Sequence, residues 1–364
     1  MESYVFDDIL NFSETPYLLK TLNSEPQKKI ISSVFRSGSL IYSSYESYNG
    51  HLSEEELFNK VKECHERSKN GIQALFNLSQ KYANSRDVGR RLLIVRALLK
   101  HKMFKEATNE IAAILHLDPN LSDGYFYLGQ IWSELEQLAQ AGKCFEKAIE
   151  LNPNFADYHF HLGKTYLAQQ SCKNAIDALI NATNLNPYYS DAHYYLGLAY
   201  LKNALSKQDY DFARDVEGNS LRAFQKAAQI NPNYKNEPFA MGEEALRNAT
   251  LQEAYDRFEE ARQRESGRDS QGFILDFYVR YLNVESSLSL KETQDYIQRL
   301  QALTKKFPHY ADLHHELGLA YMILAQGINQ NAVRSFQTAL GINPNYSTAQ
   351  KMLKALTEKQ NQIL

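Results

Sequence analysis

Residues 122–155 read SDGYFYLGQIWSELEQLAQAGKCFEKAIELNPNF, and residues 156–189 read ADYHFHLGKTYLAQQSCKNAIDALINATNLNPYY. Aligned, the two segments place Gly129 on Gly163, Ala141 on Ala175, Ala148 on Ala182 and Pro153 on Pro187. One period further on, the same register falls on Gly197, and one period back it falls on Pro119. Tyr125, Leu128, Gly129 and Trp132 recur at i, i+3, i+4 and i+7, which is one face of a helix. After a polar turn, Ala141, Phe145 and Ala148 form a second stripe, and Pro153 stops that helix.

Gly and Ala at the contact positions let two antiparallel helices approach, while large residues fill the space beside them. One such hairpin cannot bury its apolar face alone, so neighbours must stack into a quasi-one-dimensional array. The order of residues resembles the tetratricopeptide-repeat (TPR) pattern W-x2-L-G-x2-Y, A-x3-F, P, with Tyr and Trp exchanging ends, and the period is that family's, about 34 residues. The resemblance implies an all-α solenoid of about seven helix-turn-helix units, and no sheet is expected.

Extending the register outward predicts the remaining units. Residues 88–121 form a degenerate first unit with Val95 in the Gly position. The fourth, with Leu196, Gly197 and Tyr200, closes late at Phe224, Ala227 and Pro232, which predicts a polar excursion near Asn203–Asn219. The fifth keeps Gly242, Ala254, Phe258 and Ala261, and the sixth pairs helices near Phe273–Val284 and Lys291–Phe307. The seventh carries Leu317, Gly318, Tyr321, Ala332, Phe336 and Ala339, with two extra residues in its turn. The expected boundaries are an arm or linker over 1–50, a helical cap over 51–87, the solenoid over 88–346 and a capping helix over 347–364.

In the cap, Ser53 and Glu56 suit a capping box opening a helix to about Lys69, followed by a second from Ile72 to Tyr82. In the arm, Phe6, Ile9, Leu10 and Phe12 suit a short acidic amphipathic helix, and Ser37–Gly50 reads as a linker. The arm is expected to cover the exposed end of the solenoid, with docking in the groove or on another assembly as alternatives. Asp123, Asp157, Asp191 and Asp312 fall at first-helix starts, where a carboxylate suits capping.

Lys+Arg 40 against Asp+Glu 43 is nearly balanced, so no global field selects nucleic acid or anionic membrane. No secretory leader and no membrane-spanning run is read, and Cys64, Cys144 and Cys172 are scattered without zinc-ligand spacing, as in a reduced cytoplasmic protein. Phosphate loops, nucleophile elbows, HExxH and paired CxxC motifs are absent from the sequence. His159, His161, His193, His314 and His315 lie near helix starts without converging as metal ligands. No catalytic site, cofactor or metal is therefore expected.

In the TPR family the first helices line a groove for a partner segment. Their face away from the hairpin core here carries Phe126, Gln130 and Ser133, then Phe160, Lys164 and Leu167, then Tyr194, Leu198 and Leu201. The resemblance therefore implies partner contacts at Phe126 and Gln130, Phe160 and Lys164, and Tyr194 and Leu198. Of the Lys, Asn and Arg set with which some family members clamp a terminal carboxylate, only Lys164 is matched. The expected role is a protein-binding scaffold or adaptor taking an extended or helical segment with apolar or aromatic side chains, without a small-molecule ligand. Two alternatives remain: a regulatory or substrate-binding subunit of an enzyme complex, and nucleic-acid or acidic-partner binding through the basic segment 86–105.

Overall fold

The computed structural model describes residues 4–12, 15–48, 50, 52–206, 215–266, 277, 279, 281, 290–308, 310–342 and 350–354. Two compact units divide the chain, residues 1–283 and 284–364.

The first unit opens with an antiparallel meander, β1 (Val5–Phe12), β2 (Thr15–Ser24), β3 (Lys29–Arg36) and β4 (Ser39–Ser47), in the order β1-β2-β3-β4. This corrects two expectations: Phe6, Ile9, Leu10 and Phe12 lie on a strand, and most of the supposed linker is β4. It also adds a sheet to a chain whose other described elements are helices. The inner face buries Leu10, Tyr17, Leu19 and Val34 against Ile72, Leu75 and Phe76 of α1 (Glu54–Tyr82). Polar groups pin the same contact. His65 of α1 stands between Thr21 Oγ1 and Asp8 Oδ2, 3.0 Å from each, and Lys69 Nζ reaches Asp8 at 2.9 Å.

The Ser53–Glu56 capping box is present, with the Ser53 amide donating to Glu56 Oε2 and the Glu56 amide to Ser53 Oγ. The two helices expected behind it are one, of 29 residues. Gly71 does not break it, because a lone glycine costs a helix only about 1 kcal/mol and the sheet supports the residues that follow.

The hairpins come next: α2 (Val88–Lys100) with α3 (Phe104–Leu117), α4 (Ser122–Glu134) with α5 (Leu138–Leu151), and α6 (Ala156–Ala168) with α7 (Cys172–Leu185). Then α8 (Ser190–Ser206) pairs with α9 (Val216–Ile230), and α10 (Glu237–Arg247) with α11 (Leu251–Ser266). The repeated glycines are needed for the pairing. A Cβ on Gly129, Gly163 or Gly197 would stand 2.5, 2.7 or 2.8 Å from the side chains of Phe145, Leu179 or Phe224 on the facing helix. Residues 207–214 of the polar excursion lie outside the described residues, its flanks belonging to α8 and α9; of the first helix of the sixth repeat, residues 277, 279 and 281 are described and are helical.

Asp123 and Asp191 do not cap. They sit in the first turns of α4 and α8 and accept hydrogen bonds at 2.7 Å each, Asp123 from Tyr158 Oη of the next unit and Asp191 from Tyr234 Oη in the turn after α9. The N-cap places of α4 and α6 belong to Leu121 and Phe155, with no side-chain cap bond.

In the second unit, α12 (Leu290–Lys306) packs on α13 (Ala311–Ile342). The turn expected within the seventh repeat is not made: α13 is continuous over 32 residues. Gly318, the counterpart of Gly129, faces no side chain within 4 Å among the described residues. Of the expected C-terminal helix, residues 350–354 are described and are helical.

Candidate functional site

A cavity of about 490 Å³ opens where the α2–α3 turn meets α4, α5 and α6. Its position follows from the repeat. Gln130 and Ser133 are one helical turn apart on α4, and one repeat later Lys164 stands in the place of Gln130 on α6. Leu99, Phe104 and Leu138 supply apolar wall, while Lys102 and Glu134 pair at 3.5 Å.

His161 forms the floor. Its ring meets Phe126 and Phe160 edge-on, each at a centroid distance of 5.2 Å, and tilts over Phe145 at 5.6 Å. This apolar enclosure, helped by the charge of Lys164, pushes its pKa down from 6.5 to about 3, so the imidazole is neutral at physiological pH. The Gln130 amide approaches its Nε2 at 3.5 Å, and the Thr165 hydroxyl donates to the His161 carbonyl at 2.9 Å.

Lys164 is the one cation in the cavity held by ring faces. Its Nζ stands 5.4 Å from the Phe160 centroid and 5.3 Å from that of Tyr195. Among the described residues no carboxylate comes within ion-pair distance of it, and burial lowers its pKa. Arg262 of α11 covers Tyr195 at 5.3 Å and is anchored to Glu259 at 2.7 Å. The cavity thus presents an ammonium backed by two rings, beside amide and hydroxyl groups, and suits a group that carries negative charge or accepts hydrogen bonds.

Gln130 and Lys164 thus line the cavity, with Ser133 of the same helix face, but the other four expected contact residues are interior. Phe126 and Phe160 are 8% and 5% exposed, and Tyr194 and Leu198 have no exposed surface. Phe126 packs on Tyr158, Phe160 on Tyr189, and Tyr194 stacks on Tyr234 at 4.3 Å. The reason is tertiary: α11 folds over α8, and Tyr194 Oη donates to the Phe258 carbonyl at 2.7 Å. An exposed apolar strip at these positions is absent. Glu134 and Thr165 line the cavity although nothing in the sequence singled them out, with Tyr195 behind Lys164, and His161 was legible only as a possible metal ligand. The i+4 spacing from Gln130 and His161 was the signal available for the first two.

The basic segment is dispersed. Arg91 is 2% exposed and pairs with Glu110, Arg90 pairs with Asp87 and Lys102 with Glu134. Among the described residues no group of three or more His, Cys, Asp or Glu is placed to hold a metal ion, and no helix is long and apolar enough to cross a membrane.

Comparison with known proteins agrees with the period. The TPR repeat family matches residues 129–170, and the Tetratricopeptide repeat family matches residues 160–233. No curated protein matches the chain. Solved structures that resemble it include MamA from Desulfovibrio magneticus RS-1, at 21% identity and a TM-score of 0.38, covering 51% of this chain and 98% of that one. YrrB, described as a TPR protein with an unusual peptide-binding site, aligns at 16% identity and 0.38 over 56% of this chain and 97% of its own. A thermophilic TPR protein of Thermus thermophilus aligns at 16% and 0.37, over 54% and 99%. Residues 129–233 thus carry tetratricopeptide repeats, in agreement with the repeat register and the hairpin geometry of α4 to α9.

Proposed function

We propose that this chain is a non-catalytic protein-binding scaffold and that the cavity between α4 and α6 receives a segment of the partner. The observation that carries the reading is Lys164, a partly buried ammonium with aromatic faces and a neutral imidazole beside it and, among the described residues, no carboxylate paired to it. A partner side chain with a carboxylate or carbonyl oxygen would complete that site, while Leu99, Phe104 and Leu138 would take neighbouring apolar groups. The partner is therefore an extended segment of mixed acidic and apolar character, rather than the purely apolar or aromatic one expected from the sequence.

Selection of a random peptide display library on the intact protein tests this. Selected peptides should be enriched in Asp or Glu, and Lys164→Gln should weaken them by at least about tenfold, the loss typical of a charge-assisted contact. A library that yields no binder, or binders indifferent to Lys164→Gln, would move the site elsewhere.

A further inference from the structure

The sheet has a second face. Side chains alternate along each strand, so on the side away from α1 the register sets three rows that run across all four strands. The first row is Val5, Leu22, Ile31 and Tyr45, and the last is Ile9, Leu18, Phe35 and Leu40. Between them run Asp7, Lys20, Ser33 and Ser43, with the two serine hydroxyls 2.7 Å apart. Val5, Ile9, Leu40 and Tyr45 are 50, 68, 58 and 61% exposed, and among the described residues of the first unit no element covers this face. Two apolar rows flanking a polar one are more than a soluble sheet ordinarily leaves in water.

We propose that this face is occupied by a second copy of the chain, the two sheets stacking about a two-fold axis parallel to the strands. The argument is self-complementarity. That rotation exchanges β1 with β4 and β2 with β3, so Val5 meets Tyr45 of the other copy, Leu22 meets Ile31, Ile9 meets Leu40 and Leu18 meets Phe35. The middle rows match as well: Asp7 and Lys20 stand over the hydroxyls of Ser43 and Ser33. An axis across the strands would instead stack Asp7 on Asp7 and Lys20 on Lys20, which like-charge repulsion disfavours. Four strands about 4.8 Å apart, each rising about 3.3 Å per residue over about eight residues, span on the order of 500 Å². Two copies then cover about 1,000 Å², the lower bound of a specific interface, so the dimer belongs with weak, transient associations.

The test is sedimentation equilibrium of the full chain from about 1 µM to about 100 µM, the range in which such an interface titrates. The wild type should pass from monomer to dimer. Ile9→Glu should weaken association by at least about tenfold, since it buries a charge in an apolar row. Adding Leu40→Lys should restore it, because positions 9 and 40 oppose each other between copies while lying three strands apart within one. Circular dichroism and melting should leave Ile9→Glu as wild type, its side chain being in solvent in the monomer; if it misfolds, Leu40→Glu reads the same interface. A chain monomeric throughout the range, or a dimer indifferent to Ile9→Glu and Leu40→Glu, overturns the proposal. Rescue by Val5→Lys in place of Leu40→Lys overturns the axis and with it the stacking.

Discussion

Residues 122–185 and residues 311–342 carry the same signature and fold differently. In the first, Gly129 and Gly163 are covered by Phe145 and Leu179, and two helices close on each other. In the second, Gly318 faces no described side chain, the turn is absent and one helix runs on through 32 residues, leaving Tyr321, Met322 and Ile328 in solvent. Neighbours account for the difference. The hairpins α4–α5 and α6–α7 are packed between further hairpins on both sides, whereas among the described residues the second unit contributes α12 alone. The TPR pattern therefore permits a hairpin, and stacking on both sides enforces it, as expected where each repeat cannot bury its own apolar face.

The contrast can be broken most sharply at the glycines. Gly129→Ala would place a methyl group 2.5 Å from the Phe145 ring, and should cost about 1–3 kcal/mol in chemical denaturation, the usual cost of overpacking. Wild-type stability in this variant would mean that the helices separate without penalty. The next effect depends on pH. The folded His161 ring holds a pKa of about 3, so below its ordinary 6.5 the unfolded chain binds a proton that the folded chain does not. Stability is then complete above pH 6.5 and falls as the pH drops toward 3, by about 1–2 kcal/mol at pH 5. His161→Phe should remove that part of the slope; melting curves at pH 7 and pH 5 that shift equally in both proteins would exclude it. The smallest effect, of opposite sign, belongs to the second unit. Gly318→Ala should stabilise by up to about 1 kcal/mol through helix propensity alone. A loss comparable to that of Gly129→Ala would show that Gly318 is covered in solution.

The period made the hairpins from residue 88 to 266 legible, because Gly, Ala and Phe recur wherever two helices touch. The sheet was not legible, for a physical reason. Both of its faces carry apolar residues, so β1 reads Val5, Phe6, Ile9, Leu10 and Phe12, without the clean alternation of a half-buried strand. Phe6, Ile9 and Leu10 fall by coincidence at i, i+3 and i+4, the helical spacing. In the site, Gln130 and Lys164 were readable from their place on the first helices. The burial of Tyr194 and Leu198 was not, since it depends on α11 crossing α8, a contact between segments separated in sequence by two intervening helices.

The tie from Tyr158 back to Asp123 bears on how the array comes apart. In a linear array, cooperativity is the coupling between adjacent units, so a bond that joins two of them raises the cost of opening one without the other. Tyr158→Phe should therefore separate the amide exchange of α4–α5 from that of α6–α7, and exchange unchanged from the wild type would show that apolar stacking alone transmits unfolding across the boundary.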